Sequence, residues 1–215
     1  MALPENLKFR GDFQRVDESN DTLFYKVPRL VIHVDQNVSN ALTDYFKNNL
    51  PQNSKILDLM SSFSSHLPSY LDYSLVCGLG LNEVEMKKNP RLTTCLIHDI
   101  NTSPTLPFAE NVFDNCLVSF SIQYSIKPIS LIADIGRILK PGGSCHIAFS
   151  NRMFPSKAVA IWRVASDQER LELISHYFEQ SDVFNTPRTE QLVKQGKGYD
   201  PLYVVKAVRK TVRPN

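Results

Sequence analysis

Asp58 ends a short apolar run, Lys55-Ile56-Leu57-Asp58, and a serine-rich stretch follows: Met60-Ser61-Ser62-Phe63-Ser64-Ser65-His66. A carboxylate, several hydroxyls and an imidazole so close together can hold a polar ligand and move a proton. His66 is the best candidate base among five histidines. His146 lies inside an apolar run and reads as structural, and His176 reads as a helix-surface residue. Gly78-Leu79-Gly80-Leu81-Asn82-Glu83 comes after a second apolar run. Its glycines let backbone approach a ligand closely, and Asn82 adds an amide. Asp99-Ile100-Asn101 follows a third run, where Asp99 reads equally well as a turn cap. Ser119-Phe120-Ser121-Ile122-Gln123-Tyr124 follows a fourth, where Phe120 and Tyr124 read either as core or as site residues. Asn151-Arg152-Met153-Phe154-Pro155 follows a fifth, and the planar fork of Arg152 suits a carboxylate or phosphate. The four cysteines, Cys77, Cys95, Cys116 and Cys145, form no CxxC pair, so no metal site is expected.

These groups need elements to position them. The apolar runs read as strands: Lys55 to Met60, Ser74 to Cys77, Leu92 to Ile97, Phe113 to Phe120 and Ser144 to Phe149. A short sixth strand is expected at Val183-Phe184 and a clear last one from Leu202 to Val208, antiparallel and at or near one edge. Val38, Ala41, Leu42, Tyr45 and Phe46 recur with helical spacing after a cap at Asp35 or Asn37. Helices are also expected over residues 83–88, 129–139, 156–163 and 168–178, with Pro141-Gly142-Gly143 breaking the second of these. Strands alternating with helices imply a mainly parallel sheet with helices on both faces. In such a sheet the loops beyond the C-terminal strand ends share one rim, where ligands bind.

The chain has 215 residues, which suits one α/β domain. We read residues 1–34 as an N-terminal arm or lid and 35–215 as the core. Tyr25 and Arg29 precede the first long helix and are candidate lid residues, with Tyr25 facing the substrate. A net charge of +2 without a long basic run gives no general nucleic-acid surface; only Arg209 to Arg213 is locally basic, as a solvated tail would be. No segment reads as a membrane span or a secretory leader. Unpaired cysteines in apolar strands point to the cytoplasm or another reducing intracellular compartment.

The order of these loops resembles the class I S-adenosylmethionine-dependent methyltransferases, of the methyltransferase type 11 kind. The most specific part joins Leu106-Pro107-Phe108 and Phe113-Asp114 to Leu139-Lys140-Pro141-Gly142-Gly143. The resemblance implies a Rossmann-like sandwich: a mostly parallel seven-stranded sheet with one antiparallel strand and helices on both faces. It implies S-adenosyl-L-methionine as cofactor, a small-molecule methyl acceptor, and a monomer or homodimer. The implied cofactor-binding residues are Asp58, Met60, Ser61, Ser62, Gly78, Gly80, Asn82, Asp99, Ile100 and Ser119. His66 and Tyr124 are the candidate catalytic residues, and Tyr25 and Arg152 would face the acceptor.

The sequence departs from that family in two places. Met60, Ser62 and Ser64 stand where the family has glycines. A non-glycine residue held at positive φ costs roughly 1–2 kcal/mol, so the loop is expected to follow a different path. Gly80 stands where the family has the acid that binds the ribose, with Asn82 as its substitute. These departures leave a second reading, a non-catalytic protein of the same fold that binds a partner or regulates. A nicotinamide oxidoreductase is weaker, because Glu83 replaces the third fingerprint glycine. A serine hydrolase lacks its Gly-x-Ser-x-Gly elbow.

Overall fold

The computed structural model describes residues 12–211; the outermost parts of the predicted arm and of the basic tail lie outside them. Seven strands form one sheet: β1 (Lys55–Leu59), β2 (Leu75–Gly80), β3 (Thr94–Ile97), β4 (Phe113–Ser119), β5 (Leu139–Phe149), β6 (Arg188–Val193) and β7 (Leu202–Val208). Their order is β3-β2-β1-β4-β5-β7-β6. Neighbours from β3 to β5 pair in parallel, and β7 runs antiparallel to both β5 and β6. β7 alone is therefore reversed, as the resemblance implied.

Alternation along the strands sorts their side chains into two cores. Leu57, Leu59, Cys77, Leu79, Cys116, Val118 and Ile147 belong to one cluster, and Ile56, Val76, Leu117 and Ala148 to the other. Helix α2 (Gln36–Asn49) covers the second cluster with Val38, Leu42, Tyr45 and Phe46. The Asp35 carboxylate caps it by accepting the Val38 N–H at 2.9 Å. On the first face lie α4 (Pro128–Ile138) and α6 (Asp167–Ser181), the latter opened by a Ser166–Glu169 capping box. Among the described residues there are also three shorter α-helices, α1 (Asp21–Phe24), α3 (Glu83–Lys87) and α5 (Ala160–Val164), and one 3-10 turn at Ile122–Tyr124.

Several elements differ from the sequence reading. Val183-Phe184 is not a strand; Phe184 makes a single bridge to Arg209. The sixth strand is Arg188–Val193, an edge strand whose first four residues are exposed. Half-buried alternation is the signal that marks a strand, and Arg-Thr-Glu-Gln has none. Pro141-Gly142-Gly143 stops α4, yet these residues already belong to β5. Leu139 pairs with Phe113 before a register irregularity. A Cβ on Gly143 would lie 2.8 Å from the Asp114 carbonyl oxygen, so glycine lets two backbones pass there. The helix expected over 156–163 shrinks to α5, because the preceding residues hold the N-terminal arm. Ser156 O accepts the Asp17 N–H, and the fully enclosed Lys157 ammonium reaches Ser19 O and Asp21 Oδ1.

Candidate functional site

Parallel pairing sets Asp58 between Gly78 and Leu117, so the strand ends beyond them open on one rim. A cavity of about 250 Å³ lies there. Asp58, Met60, Ser61 and Ser62 enter it from β1 and its loop, Gly80 and Asn82 from the end of β2, and Asp99 and Ile100 from beyond β3. Ser119, Phe120 and Tyr124 line it from β4 onward, Arg152 and Phe154 from the loop after β5, and Tyr25 and Arg29 from the arm. His66 also lines it. Gly78 lies two residues inside β2 and is not among the residues that line the cavity. A Cβ there would meet Leu92 Cδ1 at 2.4 Å, so this glycine serves packing.

The backbone around the cavity is strained. Six non-glycine residues among those described have positive φ, and Asn53, Asn111 and Asp182 are of types that tolerate it. The other three are Met60 (φ 57°), His66 (φ 54°) and Phe120 (φ 57°), and all three line the cavity. Each costs roughly 1–2 kcal/mol, and strain of this kind gathers at functional sites. Met60 keeps the left-handed conformation that a glycine would take. Ser62 and Ser64 do not, so the expected change of path begins after the first of the three positions. The Ser61 N–H donates to Leu79 O at 2.8 Å, which folds the loop onto β2. A Cβ on Gly80 would lie 2.3 Å from the Ser61 carbonyl oxygen. An acid in place of Gly80 would therefore collide with this loop.

Asp58 is the central charge. Ser61 Oγ and Ser65 Oγ both donate to its Oδ2 at 2.6 Å. Burial pushes its pKa up to about 6, and the two hydroxyls resist that rise. His66 Nδ1 lies 3.0 Å from Ser39 Oγ, and burial pulls its pKa down to about 4. The ring is neutral at pH 7. Tyr124 accepts the Phe154 N–H at 2.9 Å, and burial raises its pKa. Burial likewise raises that of Tyr25. The Asp99 carboxylate caps its own turn by accepting from Asn101 N–H and Thr102 Oγ. The hydroxyls of Ser119 and Ser121 are buried with no hydrogen-bond partner.

Two expectations about polar groups change. Asn82 caps α3 with its oxygen and donates from its nitrogen to Tyr25 O at 2.7 Å. Its amide therefore holds the arm and has little capacity left for a ligand. Arg152 Nε lies on the two Asp200 carboxylate oxygens at 2.9 and 3.0 Å, and its side chain is 63 % exposed. Sequence reasoning missed Glu85, which is buried and lines the cavity. It accepts the Arg29 N–H at one oxygen and Ser62 Oγ at the other. Its one signal was an acid in the first turn of the helix after Gly80. Among the described residues, no group of three or more His, Cys, Asp or Glu could hold a metal, and no helix is long and apolar enough to cross a membrane.

Comparison with known proteins adds three findings. Residues 63–147 match the family model described as a methyltransferase domain, and the match begins just past Met60-Ser61-Ser62. A demethylmenaquinone methyltransferase of Paenarthrobacter aurescens is 30 % identical over 112 residues, covering 51 % of this chain and 42 % of the relative. The chain spans less than half the length of the curated relatives it matches. Among solved structures, the [4+2]-cyclase SpnF superposes with TM-score 0.64 at 12 % identity, covering 82 % of this chain and 83 % of the other. An S-adenosylmethionine-dependent methyltransferase from Mesorhizobium loti gives TM-score 0.55 at 15 % identity, covering 79 % and 98 %.

Proposed function

We propose that this chain, which has the class I S-adenosylmethionine-dependent methyltransferase fold and carries a methyltransferase domain, binds S-adenosylmethionine and methylates a small molecule. The observation that carries the reading is Asp58: an enclosed carboxylate on the cavity that meets no cation among the described residues. A buried carboxylate without a counter-ion is costly, and a ligand ammonium relieves it. The unpartnered hydroxyls of Ser119 and Ser121 fit the same ligand as donors and acceptors.

In this reading Asp58 holds the amino group of the cofactor. Glu85 takes the ribose hydroxyls, with free lone pairs on both oxygens, in place of the acid that Gly80 lacks. Asp99 and the Ile100 amide face the adenine. Met60, Ser61, Ser62 and Ser119 line the remaining wall. The bound cofactor supplies an electrophilic methyl group on a sulfonium. The chain then has to align the acceptor and exclude water. His66 is the candidate base: a neutral ring can take a proton from the acceptor when its Nδ1–H donates to Ser39. Tyr124 and Tyr25 shape the acceptor side, with Arg152 at its mouth. Free cysteines, three of them buried, suit a reducing compartment.

The second reading, a non-catalytic binding or regulatory protein, is favoured by Gly80 and by the absence of a helix between β1 and β2. A similar fold in a cyclase also cautions that fold does not name the reaction. Calorimetric titration with S-adenosylhomocysteine decides between the two. We expect binding in the micromolar range in the wild type, weaker by about tenfold or more in Asp58→Asn. No binding at about 1 mM ligand would favour the second reading.

A further inference from the structure

We propose that Arg29 anchors the methyl acceptor and that the acceptor is a small carboxylate. This rests on the methyltransferase reading, because it assigns the acceptor side of the same cavity. The backbone of Arg29 is fixed, since its N–H donates to Glu85 Oε1 at 2.6 Å. Asn82 holds the arm just ahead of it through Tyr25 O. The guanidinium sits among aromatic rings, 4.7 Å from the Phe24 centroid, 5.1 Å from Phe154 and 5.8 Å from Tyr25. Its Nη2 donates to Phe24 O at 3.1 Å. Its Nη1 is buried and has no hydrogen-bond partner.

Three cations with enclosed side chains each meet a carboxylate. Arg15 meets Asp21, Lys157 meets Asp17 and Asp21, and Arg170 meets Asp167. Among the described residues no carboxylate lies within ion-pair distance of the Arg29 guanidinium. Glu85 takes the backbone N–H of Arg29 and not its guanidinium. Arg152, the other arginine on the cavity, is committed to Asp200 and largely exposed. Arg29 is thus a half-buried fork with one nitrogen unpartnered, on a residue that lines the cavity, and such a fork matches a carboxylate. The rings that hold it also fix its orientation, so little entropy is lost when an anion arrives. Its guanidinium contacts come from α1 and the loop after β5, away from the β1 and β2 ends assigned to the cofactor.

The test uses benzoate and its neutral isostere benzamide as probes. Each is titrated by calorimetry into the free protein and into protein saturated with S-adenosylhomocysteine. We expect benzoate to bind at least about tenfold more tightly than benzamide. Arg29→Met should abolish that preference while S-adenosylhomocysteine affinity stays within about twofold. Arg29→Lys keeps the charge and the aromatic contact, guards against a folding defect, and should retain part of the preference. Equal binding of the two probes in the wild type overturns the proposal. So does a preference that survives in Arg29→Met. A loss of about tenfold in S-adenosylhomocysteine affinity in that variant would place Arg29 on the cofactor, which also overturns it. Failure of S-adenosylhomocysteine to bind the wild type refutes the methyltransferase reading instead, and the probes on free protein still report on Arg29.

Discussion

The Asp58 carboxylate is fully enclosed, and its two hydroxyl partners crowd one oxygen. Its pKa near 6 exceeds the ordinary value of 3.8. The folded protein therefore holds this proton more tightly than the unfolded chain does. Above pH 6 ionised Asp58 opposes folding, by up to about 3 kcal/mol at 1.36 kcal/mol per unit. The penalty fades as pH falls from 6 towards 4. Asp58→Asn removes the charge but leaves an oxygen for Ser61 and Ser65 to donate to. We expect its melting temperature at pH 7 to match or exceed that of the wild type, while S-adenosylhomocysteine binding weakens. Destabilisation with unchanged binding would make Asp58 purely structural. In the wild type, affinity for the ammonium-bearing ligand should fall below about pH 6, as Asp58 takes up its proton.

At the scale of elements, the loop after β1 and the end of β2 are built against each other. Two glycines in β2 separate packing from binding. Gly80→Ala sets a methyl 2.3 Å from a backbone carbonyl, which only a shift of the Ser61 loop relieves. Gly78→Ala meets the end of the flexible Leu92 side chain. Both should lower stability, by roughly 1–3 kcal/mol. Only Gly80→Ala should also cost S-adenosylhomocysteine affinity, as titrations of the two variants would read. Much of this geometry was legible. Asp35 announced α2, and the apolar runs announced β1 and β7, because caps and periodicity are local. The strand-end residues were legible as a group, since a parallel sheet brings its C-terminal ends to one rim. Glu85 was not, because its contact with Arg29 spans 56 positions and no spacing rule predicts it, and Arg29 was legible only as a lid residue. The edge strand β6 was hidden by its polar, exposed residues. The Ser loop was legible as a departure, but the left-handed Met60 was not, since propensity argues against it.

The whole molecule carries two enclosed histidines that link α2 to the rest. Tyr45 of α2 meets His146 Nδ1 at 3.0 Å, and Ser144 meets its Nε2 at 2.8 Å. Ser39 of α2 meets His66. Burial lowers the two pKa values to about 3 and about 4, from 6.5. Here the unfolded chain binds the proton more tightly. Stability is complete above pH 6.5 and falls as the pH drops towards those folded values. At pH 5 each histidine costs roughly 2 kcal/mol, and the opposite trend of Asp58 offsets only part of that. The melting temperature should drop by about 5 °C or more between pH 7 and pH 5. His66→Asn tests the assignment. Asparagine accepts the φ of 54° found at His66 more readily than most residues and can still bond Ser39. The variant should fold at pH 7 and lose about half of the acid sensitivity, as melting curves at the two pH values would show. Its S-adenosylhomocysteine affinity should stay close to that of the wild type, and methyl transfer to the true acceptor should fall if His66 is the base. An unchanged acid limb would mean that His66 binds its proton equally well in the folded and unfolded chain, which overturns its assignment as a ring held neutral by burial.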